Sequence, residues 1–177
     1  TVSAAAIDTA NVAYLRLQNR YLFAGAASGD LRLSTSEPAT NTDGTAIGVA
    51  SSVDSVIIGE GAGASITTGN DNVLIGSSAG ADLTTGAYNV FVGARAGGDV
   101  TTGSRNVGVG LSALDGITTG SDNLAFGSSA GTSVTSGSRN TAIGPGALRS
   151  ITSANDNIAI GSSAGAALTT AAYAVLL

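Results

Sequence analysis

The chain repeats itself every seventeen residues, and this period limits the folds it can adopt. A glycine that follows an apolar triplet recurs without any insertion at Gly59, Gly76, Gly93, Gly110, Gly127, Gly144 and Gly161. A unit of this length cannot bury an apolar face alone, whereas identical units stacked on one another can. The repeat therefore predicts an all-β fold, a parallel β-solenoid or β-roll of seventeen-residue coils.

Each coil is expected to hold two short strands, one ending at the repeated glycine and one around a Thr-Thr pair. Coils stacked at ~4.8 Å would form a rod roughly 34 Å long. Residues 45–177 are assigned to this solenoid, and residues 1–44, which do not repeat, to an N-terminal attachment or capping segment. Residues 13–23 suit a helix or a strand, and the alternation of Leu15 and Leu17 with polar neighbours favours a strand.

An asparagine stands four residues before most of the repeated glycines. The set comprises Asn72, Asn89, Asn106, Asn123, Asn140 and Asn157. Residues seventeen apart become neighbours along the rod, so these side chains can form a ladder of amide hydrogen bonds. The alternative is that asparagine only suits a turn at this position.

Immediately before the asparagines lies a column in which charge alternates in sign over four coils. Its charged members over this stretch are Arg105, Asp122, Arg139 and Asp156. Stacking would bring each into contact with its neighbours and predicts a charge ladder on the surface. Slippage by one coil would place like charges together, so the ladder is expected to fix the register of the coils.

The central residue of each apolar triplet forms a column without any charged or hydrogen-bonding side chain. The column reads Ile57, Leu74, Phe91, Gly108, Ala125, Ala142, Ala159 and Leu176. In a strand it points away from its two neighbours, which are also apolar, and a strand apolar on both faces is normally covered on both. We therefore predict that this column is an intersubunit face, with closest approach between copies where its side chains are small.

The composition removes much of the chemistry that enzymes use. The chain of 177 residues contains no His, Cys or Lys, so we expect no catalytic residue, no metal and no cofactor. A net charge of −5 disfavours nucleic acid as a partner, and no apolar run is long enough for membrane insertion. The chain starts at Thr1 rather than Met, which indicates that it is processed or excised.

The runs Asn140 to Gly144 and Asn157 to Gly161, each followed by an alanine three residues later, resemble two groups of repeats. They are similar to the Asn-Thr-Ala-Ile-Gly repeats of bacteriophage tail fibres and related virion proteins, and to the head repeats of trimeric autotransporter adhesins. The similarity covers about residues 45–177.

The resemblance implies a homotrimeric, non-enzymatic stalk in a virion, as part of a tail fibre, a spike or the capsid surface. Residues 1–44 would then contact other virion or appendage proteins. Apart from the resemblance, a spike that binds a surface glycan without cleaving it stays open, with Tyr88 as the platform for the glycan. The alternative is a bacterial adhesin head on the cell surface that binds a host surface or matrix.

A regular threonine column suggests a different function. It runs from Thr67 to Thr169 at one residue per coil, and such outward rows order water in some ice-binding solenoids. Those faces need two exposed columns, whereas the neighbouring column from Thr68 to Thr170 is expected to point inward. Ice binding is therefore a second alternative.

Overall fold

The computed structural model describes residues 13–17, 20–24, 31–34, 55–170 and 172–177, and within these ranges it contains strands and turns but no helix. The strands are β1 (Ala13–Leu17), β2 (Arg20–Ala24), β3 (Leu31–Ser34), β4 (Val56–Ile58), β5 (Val73–Ile75), β6 (Val90–Val92), β7 (Val107–Val109), β8 (Leu124–Phe126), β9 (Thr141–Ile143), β10 (Ile158–Ile160) and β11 (Val175–Leu176). The strand interpretation of residues 13–23 is confirmed by β1 and β2.

All eleven strands form one sheet in the order of the chain. From β4 to β11 the pairing is parallel, and each residue lies beside the one seventeen positions later, as Val73 lies beside Val90. The predicted all-β solenoid is therefore confirmed. At its N-terminal end β1, β2 and β3 form an antiparallel meander, and β3 pairs in parallel with β4. The meander thus continues the sheet past the first coil, where β4 would otherwise have an unpaired edge.

Each coil holds one strand, so the prediction of a second strand around the Thr-Thr pair is wrong. The chain bends at this pair, and the backbone N–H groups of Thr67 and Thr68 both donate to the carbonyl of Thr84, at 2.9 and 3.3 Å. Two donors that converge on one carbonyl cannot continue the evenly spaced bonds of a parallel strand pair. The segment is held to the next coil all the same.

The central residue of each strand points into the coil, which corrects the predicted intersubunit face. Leu74, Phe91, Ala125 and Ala159 have no exposed surface. The rest of that column follows them into the interior: Ile57, Gly108 and Ala142 are buried and Leu176 is partly buried. A strand of three residues has one inward position, and this side chain occupies it between the coil's buried alanine and branched aliphatic residue, such as Ala96 and Val100.

Side-chain volume in this narrow core is balanced between two inward positions, either within one coil or between neighbouring coils. Where the strand contributes Phe91, the residue six positions later is Gly97, whose Cβ would lie 2.6 Å from the ring Cζ atom. Where the strand contributes only Gly108, the corresponding residue is Leu114, which is buried. Where both positions are small, as in the coil of Gly131, the Leu114 side chain of the preceding coil fills the space. The small residues at the centre of the rod are therefore compensated from inside it and do not mark the expected close approach of two copies.

The repeated glycine is required by its backbone conformation and by the next coil. Gly110 has φ of 132°, a region that L side chains rarely adopt, and a Cβ there would lie 2.7 Å from the carbonyl oxygen of Gly127. Stacking at the distance of a parallel sheet leaves no space for a side chain at this corner, which is why this glycine marks the period.

Candidate assembly surface

Two columns of apolar side chains lie on the outer face of the strands, on either side of the buried central column. We name them together the apolar stripe. It consists of Val56, Ile58, Val73, Ile75, Val90, Val92, Val107, Val109, Leu124, Phe126, Thr141, Ile143, Ile158, Ile160 and Val175, followed by Leu177.

Every residue of the apolar stripe is exposed or half-buried, and none is fully buried. Phe126 is 57% exposed and Ile160 43% exposed, and the stripe contains no charge and a single hydroxyl, that of Thr141. Eight strands ~4.8 Å apart and two side chains per strand give an area of roughly 340 Å². A parallel sheet is normally covered on both faces, so this uncharged apolar outer face indicates a surface that another molecule covers.

One border of the apolar stripe carries the column of the predicted charge ladder, which we name the charged rim. It comprises Asp71, Tyr88, Arg105, Asp122, Arg139, Asp156 and Tyr173. All seven have a left-handed backbone with φ between 56° and 61°, so their side chains leave the coil at a corner next to the stripe. Tyr88, considered as a glycan platform, is 58% exposed there.

The charged rim contains two separate ion pairs. Arg105 Nε and Nη2 donate to the two carboxylate oxygens of Asp122 at 2.6 and 2.8 Å. Arg139 and Asp156 form the same bidentate arrangement at 2.7 and 2.8 Å. These hydrogen bonds lower the pKa of Asp122 and of Asp156 below the ordinary aspartate value.

The two pairs do not join into the continuous ladder that the sequence suggested. In the part of the chain that the structure describes, no ion pair connects Asp122 to Arg139. A guanidinium that binds both oxygens of one carboxylate is directed toward that residue alone, so each arginine selects the coil after it. The alternating charges therefore join coils in two separate pairs and do not form one continuous row of ion pairs.

The six asparagines predicted as a ladder lie in a buried column just inside the charged rim. Oδ1 of Asn72 accepts from Nδ2 of Asn89 at 3.1 Å, and this side-chain bond recurs at every step up to Asn157. Each Oδ1 also accepts the backbone N–H of the next coil, as between Asn72 and Asn89 at 2.9 Å. Ser55 occupies the first position of the column, where its Oγ accepts the N–H of Asn72. The column therefore ties successive coils together from within.

A second group of charges lies at the other border of the stripe and beyond it, and was missed in the sequence. Arg95 bonds to Asp115 at 3.1 Å and lies 3.7 Å from Asp99. Partial desolvation, and then the neighbouring Asp115 carboxylate, raise the pKa of Asp99, whose side chain is 54% exposed. Arg95 and Asp115 are twenty residues apart and so belong to different columns, which is why the seventeen-residue period gave no signal for them. The cluster is an ion-pair network on the surface.

The two threonine columns both lie on the outside of the rod, which corrects the expected inward position of the second. Thr68, Thr85, Thr102 and Thr119 are exposed, as are the serines that continue their column. In the first column each hydroxyl from Thr67 to Thr152 donates to the threonine carbonyl one coil further on, at 3.0 Å from Thr101 to Thr118. The first row of hydroxyls is therefore fixed in orientation.

The described residues show no group of three or more His, Cys, Asp or Glu side chains that could hold a metal ion. They also include no helix of the length and apolar character needed to cross a membrane. No protein-family model, no curated protein and no solved structure matches the chain.

Proposed function

We propose that this chain is a structural component of a virion fibre, spike or surface appendage, in which several copies associate along the apolar stripe into a rigid stalk. The observation that carries the proposal is the stripe itself, which runs past eight strands with no charged side chain. A monomer in water gains nothing from exposing it, whereas burial of apolar area stabilises an assembly by about 25 cal/mol per Å².

The interior of the rod supports a mechanical role. Each coil is joined to the next by backbone bonds, by the threonine hydroxyls and by the asparagine column, and these bonds repeat at each coil. Identical bonds stacked along one axis resist bending and local opening, as in other stacked β structures. The asparagine column and the first threonine column thus both serve contact between coils, which suits a stalk.

Self-association is tested by the mass of the purified protein in solution. We expect more than one copy, and three is the number that the resemblance to fibre and adhesin repeats implies. Phe126→Asp places a charge in the middle of the apolar stripe and should convert the assembly to monomers. Thr119→Asp, at a position that is also exposed but outside the stripe, is the matched control and should leave the mass unchanged. A wild-type monomer at micromolar concentration would refute the proposal.

The place of the stalk is tested by locating the protein. In a virion, residues 1–44 would attach it to neighbouring virion proteins, and antibodies against the rod should label purified particles. In the alternative, a bacterial adhesin head, the same antibodies should label the surface of intact cells and the protein should retain a host surface, matrix or glycan.

Ice binding is a second candidate because both threonine columns are exposed. The hydroxyls of the first column are fixed by bonds to the next coil, and those of the second face solvent beside them. A regular double row of this kind can order water at the spacing of the coils. Thermal hysteresis tests it: activity should be present in the wild type and lost in Thr102→Tyr, and its absence at millimolar protein excludes this function.

A further inference from the structure

The two borders of the apolar stripe vary together from coil to coil. The second border of the apolar stripe is formed by the first two residues after each repeated glycine. We name this border the serine rim. The coils with aspartate in the charged rim carry two serines in the serine rim: Asp71 with Ser77 and Ser78, Asp122 with Ser128 and Ser129, and Asp156 with Ser162 and Ser163.

The coils with arginine or tyrosine in the charged rim never carry the serine pair. Tyr88 is matched by Ala94-Arg95, Arg105 by Leu111-Ser112 and Arg139 by Pro145-Gly146. The first coil departs from the rule, since Glu60 and Gly61 follow Asp54, which lies outside the described residues. From the second coil to the seventh, the identity of one rim thus predicts the identity of the other.

No contact within one chain accounts for this relationship. The two rims lie on opposite sides of the strand, and a strand of three residues alone spans about 10 Å. Among the described residues, the hydroxyls of Ser128 and Ser129 make no hydrogen bond, and the bonds of Asp122 go to Arg105. The serines are therefore unused donors, and each paired carboxylate oxygen retains a free acceptor position.

Association of two copies explains the relationship when the rods are parallel. If copies are related by rotation about an axis along the rods, the charged rim of one lies against the serine rim of the next at the same height. If the rods are antiparallel, charged rim meets charged rim. Contact between aspartate and serine at one level requires the parallel arrangement.

The apolar stripe alone is too small for a stable interface between two copies, so the two rims must also be part of that interface. A stable interface buries about 800 Å² per partner, which is more than twice the roughly 340 Å² of the apolar stripe. Inclusion of one exposed column on each side brings the buried area toward that value. The result is an apolar centre with a polar border, the usual anatomy of an interface between proteins.

We infer that copies of this chain assemble with their rods parallel and in register, and that Asp71, Asp122 and Asp156 accept hydrogen bonds from the serine rim of the adjacent copy. This inference rests on the self-association proposed above and adds its direction, its register and the residues that select it. Carboxylate–hydroxyl contacts at three heights distinguish the correct register from shifts by one coil, in which an aspartate would face Ala94, Leu111 or Pro145.

Disulfide formation between copies tests the inference, since the natural chain contains no cysteine. Asp122→Cys combined with Ser128→Cys should join adjacent copies, and mild oxidation should give covalent multimers on a non-reducing gel. The matched control is Asp122→Cys with Ser162→Cys, which has the same chemistry two coils away, about 10 Å further along the rod. That offset exceeds the reach of a disulfide, so this variant should stay as single chains on the gel.

A third pair reports the antiparallel arrangement. Chains with Asp122→Cys co-expressed with chains carrying Arg139→Cys would join where two charged rims meet with opposite charges aligned. Joining of this pair, or equal joining of the first two variants, overturns the inference while the native mass still shows an oligomer. A monomeric native mass instead refutes the self-association on which the inference rests, so the two failures are distinguishable.

Discussion

Oδ1 of Asn89 accepts two hydrogen bonds from Asn106, one from the backbone N–H at 3.0 Å and one from Nδ2 at 3.2 Å. Nδ2 of Asn106 also donates to the carbonyl of Gly120 at 2.9 Å. Oδ1 of Asn106 accepts in turn from the backbone N–H and from Nδ2 of Asn123. One buried side chain thus satisfies polar groups in three successive coils. Serine and aspartate cannot replace it, because neither offers an acceptor together with two donors.

Asn106→Leu should destabilise the rod by roughly 3–5 kcal/mol, because it leaves the Gly120 carbonyl and the Asn123 N–H buried without partners, at about 1–3 kcal/mol each. Chemical unfolding followed by circular dichroism measures the change. Asn70→Leu removes an amide that lies outside the buried column and should cost under about 0.5 kcal/mol. Equal effects of the two substitutions would contradict a structural role for the column.

Asn106→Asp should destabilise the rod more at neutral pH than in acid. A carboxylate at this fully buried position would face the Oδ1 of Asn89 and the carbonyl of Gly120, so its pKa is raised in the folded state. The folded state then favours the protonated form, whose O–H can donate, and stability is lost as the pH rises through that raised pKa. The Tm difference from wild type should therefore narrow on acidification. A constant difference would show that charge is not the cause.

Gly110→Ala and Gly108→Ala should differ widely although only one residue separates them. At Gly110 the new methyl group would meet the backbone of Gly127 at 2.7 Å and the φ angle of 132° adds strain, so a loss of roughly 2–4 kcal/mol is expected. At Gly108 the nearest atom is the Ala113 oxygen at 3.1 Å, and other coils carry alanine there, so the change should be under about 1 kcal/mol. Thermal unfolding of both variants decides the matter.

Leu114→Gly should leave a cavity in the core, because the Leu114 side chain fills the space beside Gly108. Loss of a buried leucine costs about 2–5 kcal/mol, reduced by about 1 kcal/mol because glycine relieves the left-handed backbone of this residue. The double variant Gly108→Leu with Leu114→Gly restores the arrangement seen at Leu74 and Gly80 and should recover part of that loss. Leu111→Ala, on the outside of the rod, is the control for leucine removal. Additive losses in the double variant would contradict the volume balance.

The fold could be predicted from the sequence because the period makes each column uniform. The glycine corners, the asparagine column and the parallel register all follow from one seventeen-residue unit. The side of the strand that faces inward could not be predicted, since both sides are apolar and alternation fixes only which residues share a side. The deciding contact lies six residues away, where Gly97 leaves space for Phe91 and Leu114 replaces the side chain that Gly108 lacks. The consistent size of the outer pair, as in Val90 and Val92, was the available signal for the apolar stripe.

The ion pairs of the charged rim should make stability depend on acid pH. The pKa values of Asp122 and Asp156 are lowered by hydrogen bonds from Arg105 and Arg139, so their contribution is complete above the ordinary aspartate pKa. It is lost as the pH falls below that value and through the lowered pKa of the folded state. Partial desolvation raises the pKa of Asp99, so the charged form of this residue destabilises the folded state at neutral pH. Asp99→Asn should therefore slightly raise the Tm at neutral pH.

The contribution of the two ion pairs is measured by comparing wild type with the double variant Arg105→Gln and Arg139→Gln, which removes both pairs. At neutral pH this variant should have a Tm slightly below that of wild type, by a small amount because exposed ion pairs are weak and are screened by salt. As the pH falls below the ordinary aspartate pKa, the wild type loses the stabilisation by the two ion pairs, which the variant lacks at every pH. The Tm values of the two proteins should therefore converge. Added salt at neutral pH should bring them together in the same way. A difference that persists at low pH and high salt would mean that the arginines act through packing of their alkyl chains against the rim, not through charge.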